Sequence, residues 1–369
     1  MALLPCSAIA DDGFASFTGQ LTGLKDSLIV LTPTANGEAT RDTVLTKDGK
    51  FDFKVKVSKP TQIFVQTPGT IRRTEWIHFE TIAVPGEKAV LSGDVKDIHY
   101  SGSKFYQEYN DADIAYQEAC KERFEFAGQL GKAIQNGGNR DSLMNVYREK
   151  APALKKQSLE RMTDFIAKHP NSEGAAAYIA KFDDLDAMKK AVGLLADNVK
   201  NGRIHSYYQN AIDDLQKEAD REAAAAKKQA AGVTAPDFTL NDINGKPLSL
   251  SSLKGKYVLL DFWGTWCIWC VRGIPKMKEY YEKYKGKFEI LSIDCNESED
   301  KWKEGVKKYE LPWLHVYQPR QGNVQTTSLY AIQGFPTKIL IGPDGKIVKT
   351  YVGEDPAFYE FLDKTFGSK

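Results

Sequence analysis

The chain has 369 residues, of which 42% are hydrophobic and 27% charged, as expected for folded domains with apolar cores. Lys and Arg total 50 against 49 Asp and Glu, and this net charge of +1 argues against nucleic acid or an acidic membrane surface as a partner. The sequence contains no apolar run of about 18 residues or more, so it predicts no membrane-spanning helix.

The N-terminal stretch MALLPCSAIADD predicts an export signal. The tripeptide AIA at positions 8–10 has the small-x-small form of a signal peptidase site, and the short apolar stretch before it resembles the tail of a secretory signal. Cys6 makes lipid attachment a second interpretation, although Pro5 departs from the small residues of a lipobox. We therefore expect residues 1–13 to be a signal-peptide remnant or a lipid-anchor region, with a terminus that carries no message as the alternative.

Residues 14–102 are predicted to be all-β. In FDFKVKV, apolar Phe51, Phe53, Val55 and Val57 alternate with polar residues, which is typical of a half-buried antiparallel strand. The runs SLIVLT, TQIFVQT, WIHFETIAV and KAVLSGD are separated by turn signals such as KDGK and VPGEK. This pattern predicts a small β-sandwich-like domain without a catalytic constellation.

Residues 103–231 are predicted to be helical. Apolar residues recur there at helical spacing, and Pro152 is expected to kink this stretch or to begin a new helix. The run EADREAAAAKKQAAG is a strong helix former that ends at Gly232, which we take as the domain boundary. Cys120 lies on a predicted helix with no partner nearby, so a buried, inert thiol is expected.

From residue 232 to residue 369 the pattern is that of an α/β domain. The run YVLLDF is almost continuously apolar, as in a central strand buried on both faces. Helices over IPKMKEYYEKYK and EDKWKEGVKKY flank the strand FEILSI. The segment GFPTKILIGPDGKIVKTYVG predicts two strands joined by a tight turn, and PAFYEFLDKTF predicts a closing helix.

Two cysteines, Cys267 and Cys270, stand three positions apart in GTWCIWC. A zinc site would need two more ligands at matching spacing, so we predict no metal, and a structural disulfide over so short a loop would constrain little. A redox role has a mechanism, because Cys267 follows a buried strand and begins a helix whose N-terminus favours the thiolate. Cys267 is then expected to attack a substrate disulfide, and the more buried Cys270 to resolve the mixed disulfide without a cofactor.

The motif VLLDFWGTWCIWC, with GFPT further on, resembles the thioredoxin superfamily. The leading APDFTLNDINGKPLSLSSLKGK resembles the exported TlpA/ResA-like branch, often labelled AhpC/TSA, and the resemblance covers residues 232–369. Residues 14–102 with the following GSKFYQEY resemble, more weakly, an uncharacterised N-terminal domain fused to such proteins in some Gram-negative bacteria. The resemblance implies a thioredoxin-like α/β domain preceded by an all-β domain and an all-α region.

Several site residues follow from this resemblance. Asp261 matches a buried acid that relays the Cys270 proton, and its apolar neighbours should raise its pKa; a solvated strand-end aspartate is the alternative. Phe335-Pro336 matches the cis-proline loop, which with Thr337 presents a backbone edge to substrate; an ordinary trans turn proline is the alternative.

Trp266 and Trp269 are expected at the substrate-binding surface, with core or loop packing as an alternative of at least equal weight for Trp266 and with shielding of Cys270 as a further expectation for Trp269. The chain departs from the family in two ways. Ile268-Trp269 replaces the Gly-Pro or Glu-Pro between the cysteines, and Gly273 stands where some exported relatives carry a functional glutamate. The sequence therefore offers Asp261 as its single candidate acid.

The function implied is a thiol-disulfide oxidoreductase that acts on protein disulfides or thiols, as a periplasmic reductase kept reduced by a membrane electron donor. A specialised version would supply reduced thiols for cytochrome c maturation. A thiol peroxidase is a second class, disfavoured because Gly264 and Leu260 replace the Thr and Pro of a peroxiredoxin. A third class is a scaffold or binding protein with a vestigial redox domain, in which the first 230 residues do the work.

Overall fold

The computed structural model describes residues 13–34 and 36–367. The chain divides into two compact units between Lys217 and Glu218, inside a long helix and N-terminal to the boundary predicted at residue 232. The predicted export signal and Cys6 lie outside the described residues. Over the described ranges, no helix combines the length and apolar character needed to cross a membrane.

The first unit begins with strands, as predicted for residues 14–102. They are β1 (Phe14–Gln20), β2 (Ser27–Pro33), β3 (Ala39–Leu45), β4 (Lys50–Lys56), β5 (Thr61–Gln66), β6 (His78–Ala83), β7 (Lys88–Asp94) and β8 (Asp97–Gly102), with the short helix α1 (Pro68–Ile71) after β5. In the described part they form two sheets, of order β4-β1-β7-β8 and β3-β2-β5-β6. Phe51 and Val55 of β4 are buried, which confirms the predicted alternation.

The middle of the chain is helical, which is also confirmed. Its helices are α2 (Lys104–Gln135), α3 (Arg140–Lys168), α4 (Glu173–Ala177), α5 (Leu185–Gly193), α6 (Asp197–Lys200) and α7 (His205–Lys228). Helix α3 continues through Pro152. The Tyr106 hydroxyl of α2 donates to the Ile82 carbonyl at 2.7 Å, and its ring lies 5.9 Å from that of Phe17. The strands and helices of this unit therefore share one apolar core.

The second unit carries the α/β pattern. Its elements are β9 (Thr239–Asp242), β10 (Pro247–Ser249), β11 (Tyr257–Trp263), α8 (Ile268–Lys283), β12 (Phe288–Asp294), α9 (Glu299–Lys308), β13 (Leu314–Tyr317), α10 (Thr326–Leu329), β14 (Thr337–Ile341), β15 (Ile347–Val352) and α11 (Pro356–Phe366). The described strands form one sheet of order β10-β9-β13-β12-β11-β14-β15, in which β11, β12 and β13 run parallel and β14 is antiparallel to β11.

The central strand β11 is buried on both faces, as its apolar run predicts. Leu259 and Trp263 pack into the apolar cluster that contains Cys267, Cys270 and residues of α8 and α11. Val258, Leu260 and Phe262 pack into the cluster on the opposite face. Because side chains alternate along a strand, Asp261 points to the same face as the two cysteines.

Candidate active site

The cysteine pair lies where β11 gives way to α8. Cys267 is the N-cap of α8, and its sulfur accepts a hydrogen bond from the Cys270 backbone N–H at 3.2 Å. The two sulfurs form a disulfide of 2.08 Å. Their relative exposures are 5% and 6%, so the greater exposure expected for Cys267 is not found in the disulfide form. The N-cap position supports thiolate formation at Cys267, since the helix N-terminus carries partial positive charge.

The three residues before Cys267 are held by the segment that follows β12. The Thr265 backbone N–H donates to Glu297 Oε1 at 2.7 Å, and its hydroxyl donates to the other carboxylate oxygen. The Trp266 indole N–H donates to the Cys295 carbonyl at 2.8 Å. A Cβ on Gly264 would overlap that indole ring, so glycine allows Trp266 to fold back over the loop. These contacts fix the backbone that leads into Cys267.

A buried acid pair lies beneath this loop. Burial and the neighbouring Glu297 raise the pKa of Asp294 to about 10. Burial acts to raise the pKa of Glu297 as well, but hydrogen bonds from Asp294 and Thr265 outweigh it and lower that pKa. With its pKa near 10, Asp294 is protonated at neutral pH, whereas Glu297 is charged and holds Thr265.

Asp261 lies on β11, on the face of the sheet that packs against the cysteine pair. It is 5% exposed and accepts a hydrogen bond from the Ser292 hydroxyl at 2.9 Å. In the antiparallel pair β11–β14 it stands directly opposite Lys338, so the two side chains share one face. Burial raises the pKa of Asp261, while Lys338 and Ser292 oppose the rise and Glu354 adds to it. A raised pKa is what the predicted proton acceptor needs.

The Phe335–Pro336 peptide bond is cis, as expected for this motif. The Phe335 ring meets that of Trp266 edge to face at 5.1 Å, which brings this loop next to the residue preceding Cys267. Thr337 is fully buried and its hydroxyl donates to the Gly334 carbonyl at 2.7 Å. Thr337 also pairs with Phe262 of β11 and with Val352 of β15, so the structure places it as a support of the loop and not at the surface where the sequence predicted a substrate contact.

The surface around the disulfide is apolar. Trp266, Ile268 and Trp269 are 49%, 57% and 42% exposed, and the Arg272 guanidinium lies 5.1 Å from the Trp269 ring centre. An open groove of about 890 Å³ begins at Thr265 and Trp266 and continues along α9. Its rim includes three cations: Lys301, Lys308 and Arg320.

The sequence did not reveal three of the residues that define this site. Glu297 and Glu354 follow strand ends and belong to no motif, so no pattern distinguished them from surface glutamates. Lys338 did leave a signal, because a lysine inside the apolar strand TKILI is unusual unless it has a charged partner. That partner is Glu354, whose carboxylate lies 2.7 Å from Lys338 Nζ.

Comparison with known proteins gives consistent matches. A family model described as thioredoxin-like matches residues 255–347. Thiol-disulfide oxidoreductase ResA of Bacillus cereus is 40% identical over 132 residues, which are 36% of this chain and 75% of the relative. ResA of Bacillus subtilis is 38% identical over 123 residues, which are 33% of this chain and 67% of that relative.

Solved structures of similar proteins include the thioredoxin domain of a thiol-disulfide oxidoreductase from Bacteroides vulgatus. It is 33% identical, with a TM-score of 0.35, and the match covers 37% of this chain and 98% of that chain. The family-model match and the strand order confirm the predicted thioredoxin-like α/β fold of the C-terminal part.

Proposed function

The chain belongs to the ResA family of thiol-disulfide oxidoreductases, and on this basis we propose that it reduces protein disulfides in the cell envelope. The observation that carries the proposal is the Cys267–Cys270 disulfide at the N-terminus of α8. The export pattern at residues 1–13 supports the location, and a thiol donor at the membrane would return the pair to its reduced form.

The reaction runs in two exchanges. The Cys267 thiolate attacks a substrate disulfide, so that a Cys267–substrate bond forms, the substrate S–S bond breaks and one substrate thiolate leaves. Cys270 then loses its proton and attacks Cys267, which closes the Cys267–Cys270 disulfide and releases the second substrate thiolate. Two electrons have passed from the cysteine pair to the substrate, and Asp261 is our candidate acceptor for the Cys270 proton.

The substrate surface is proposed from the residues that surround the disulfide. Trp266 and Trp269 offer apolar area, and the loop of Phe335 and Pro336 lies against Trp266. Such a surface suits an extended, apolar peptide segment that carries the disulfide, because aromatic side chains bury a large apolar area on contact. A peroxidase is less well supported. A peroxiredoxin has a threonine at the position of Gly264, and in this structure a side chain at that position would overlap the Trp266 indole.

The proposal is tested by reduction of a protein disulfide. Full-length protein with dithiothreitol as electron donor is expected to accelerate the reduction of insulin, followed by the turbidity of its separated chains. Turnover of hydrogen peroxide under the same conditions should stay at the rate of dithiothreitol alone. Peroxide reduction without insulin reduction would overturn the proposal in favour of a peroxidase.

We also propose that the second unit carries the chemistry by itself, while residues 14–217 set location or partner choice. A fragment of residues 218–369 and a shorter one of residues 232–369 are both expected to reduce insulin at the full-length rate. The shorter one lacks Gln229, whose amide donates to the Tyr330 carbonyl at 2.7 Å. Loss of this contact should lower the free energy of unfolding by about 1 kcal/mol.

Chemical denaturation of the two fragments measures this difference. Gln229→Ala in the longer fragment is the matched control and should reproduce the part of the loss that comes from the side chain, since it keeps the contact of the Gln229 carbonyl with Thr350. A folded but inactive 218–369 fragment would contradict the proposal, because the first unit would then contribute to the reaction and the scaffold alternative would gain support.

A further inference from the structure

A carboxylate covers helix α8 one turn after Cys270. Gly273 stands three positions beyond Cys270 in α8 and is buried. A Cβ on Gly273 would overlap the carboxylate of Glu354, so the Glu354 side chain occupies the volume that a side chain at position 273 would fill. Because residues three apart in a helix are neighbours on its surface, Glu354 lies over the turn that carries the resolving cysteine.

Glu354 is also tied to the acid in the sheet. Its Oε1 lies 2.7 Å from Lys338 Nζ, and its Oε2 accepts from the Tyr359 hydroxyl at 3.3 Å. Lys338 is only 1% exposed at its side chain and stands opposite Asp261, whereas Glu354 is 18% exposed. The row Asp261–Lys338–Glu354 therefore runs from the buried strand β11 to the protein surface beside α8.

We propose that Glu354, acting through Lys338, is a positioning residue that sets the charge of Asp261 and thereby the pH at which Cys270 gives up its proton. The inference rests on the proposed disulfide reductase activity. It adds to that activity a second carboxylate, supplied from the loop after β15.

The titratable groups around this row come from α8, from α11 and from the segment after β12. The neighbouring titratable groups are Cys270 and Lys276 on α8, Cys295 after β12, Tyr359 on α11 and Tyr280 on α8, whose ring lies 4.9 Å from that of Tyr359. Burial raises the pKa of Cys295 and of Tyr359, so both are neutral near pH 7. The Lys276 ammonium lies over the Tyr359 ring, 4.6 Å from its centre. Lys338 and Glu354 are thus the two charges that act on Asp261 in opposite directions.

The proton balance gives the direction of each effect. Asp261 must be ionised to accept the proton of Cys270 as the latter attacks the mixed disulfide. The Glu354 charge makes ionisation of Asp261 harder, and the Lys338 charge makes it easier. Removal of the Glu354 charge should let Asp261 ionise at lower pH. Removal of the Lys338 charge should shift the ionisation of Asp261 to higher pH.

The experiment measures the resolving step against pH in the full-length protein. Reduced protein is mixed with a nitrobenzoate disulfide, and rapid mixing follows the two releases of coloured thiolate, the first from attack by Cys267 and the second from attack by Cys270. The acid limb is the fall in the rate of the second release toward low pH. Glu354→Gln is expected to move this limb down by about one pH unit, and Lys338→Met is expected to move it up by a similar amount. The first release should keep its profile in both variants.

Two further variants separate this role from a structural one. Gly273→Ala introduces a Cβ that expels the Glu354 carboxylate, so it should shift the profile as Glu354→Gln does while the helix remains stable. In an Asp261→Asn background, neither Glu354→Gln nor Lys338→Met should shift the limb. Glu360→Gln, which removes an exposed carboxylate on α11, is the charge-matched control and should leave the profile unchanged.

The outcomes distinguish the two proposals. If the wild type releases no second thiolate at any pH, the disulfide reductase function itself fails. If the wild type completes both releases but Glu354→Gln and Lys338→Met leave the acid limb in place, or shift it in the same direction, the role of Glu354 is overturned. Opposite shifts that disappear without Asp261 support it.

Discussion

Serine in place of Cys267 is expected to reduce disulfide exchange to the uncatalysed rate, whereas serine in place of Cys270 is expected to trap the substrate. The difference follows from the helix: Cys267 is the N-cap of α8 and forms the thiolate, and Cys270 attacks only after the mixed disulfide exists. With Cys270→Ser, the Cys267–substrate bond has no resolving thiol and persists. Non-reducing electrophoresis should show this covalent complex, and dithiothreitol should reduce its disulfide and release the substrate.

The remaining described cysteines serve as the comparison. Cys120 and Cys295 are buried and free, so Cys120→Ala should neither trap substrate nor slow turnover. In the reduced wild type, alkylation near neutral pH should label Cys267 first. A trapped complex with Cys267→Ser instead of Cys270→Ser, or first labelling of Cys270, would reverse the assigned roles.

Asparagine in place of Asp261 is expected to stabilise the fold and slow catalysis at the same time. Burial raises the pKa of this carboxyl above 3.8, so the folded protein holds the proton more tightly than the unfolded chain. The contribution of Asp261 to the free energy of unfolding therefore falls as the pH rises from 3.8 through the raised pKa of the folded protein. Asparagine avoids this loss, and it should raise the free energy of unfolding at pH 8 by roughly 1–3 kcal/mol while adding little at pH 4.

The same change should slow the attack of Cys270. Without a base the resolving thiol must lose its proton to water, and a positioned acid or base typically contributes about 10²-fold or more. Denaturation at pH 4 and pH 8, together with the two thiolate releases, measures both effects. Glu360→Gln should change neither quantity. Unchanged resolution, or a variant that is less stable at pH 8, would remove Asp261 from the proton path.

Local sequence patterns predicted most of the secondary-structure elements. The alternation in FDFKVKV predicted β4, and the apolar run YVLLDF predicted a strand buried on both faces, because burial imposes these periods directly on the sequence. Strand β3 escaped such reasoning, since nearly all of its residues are exposed and show no apolar alternation. The division between the two units lies inside helix α7, where the helix itself continues and only the start of an Ala-rich run accompanies it.

The local pattern around Cys267 and Cys270 was enough to predict the chemistry of the pair. A CxxC placed between a buried strand and a helix has its nucleophile and its resolving thiol within one turn, and that arrangement requires no distant contact. The charges around the pair depend on contacts between distant segments, which no local pattern predicts. Glu297 reaches Thr265 and Glu354 reaches Gly273 from segments far along the chain, and sequence spacing does not encode which surface glutamate will fill a space left by a glycine. Sequence spacing likewise does not encode the partners of Lys338. Its buried charge is compensated because the sheet places it between Asp261 and Glu354.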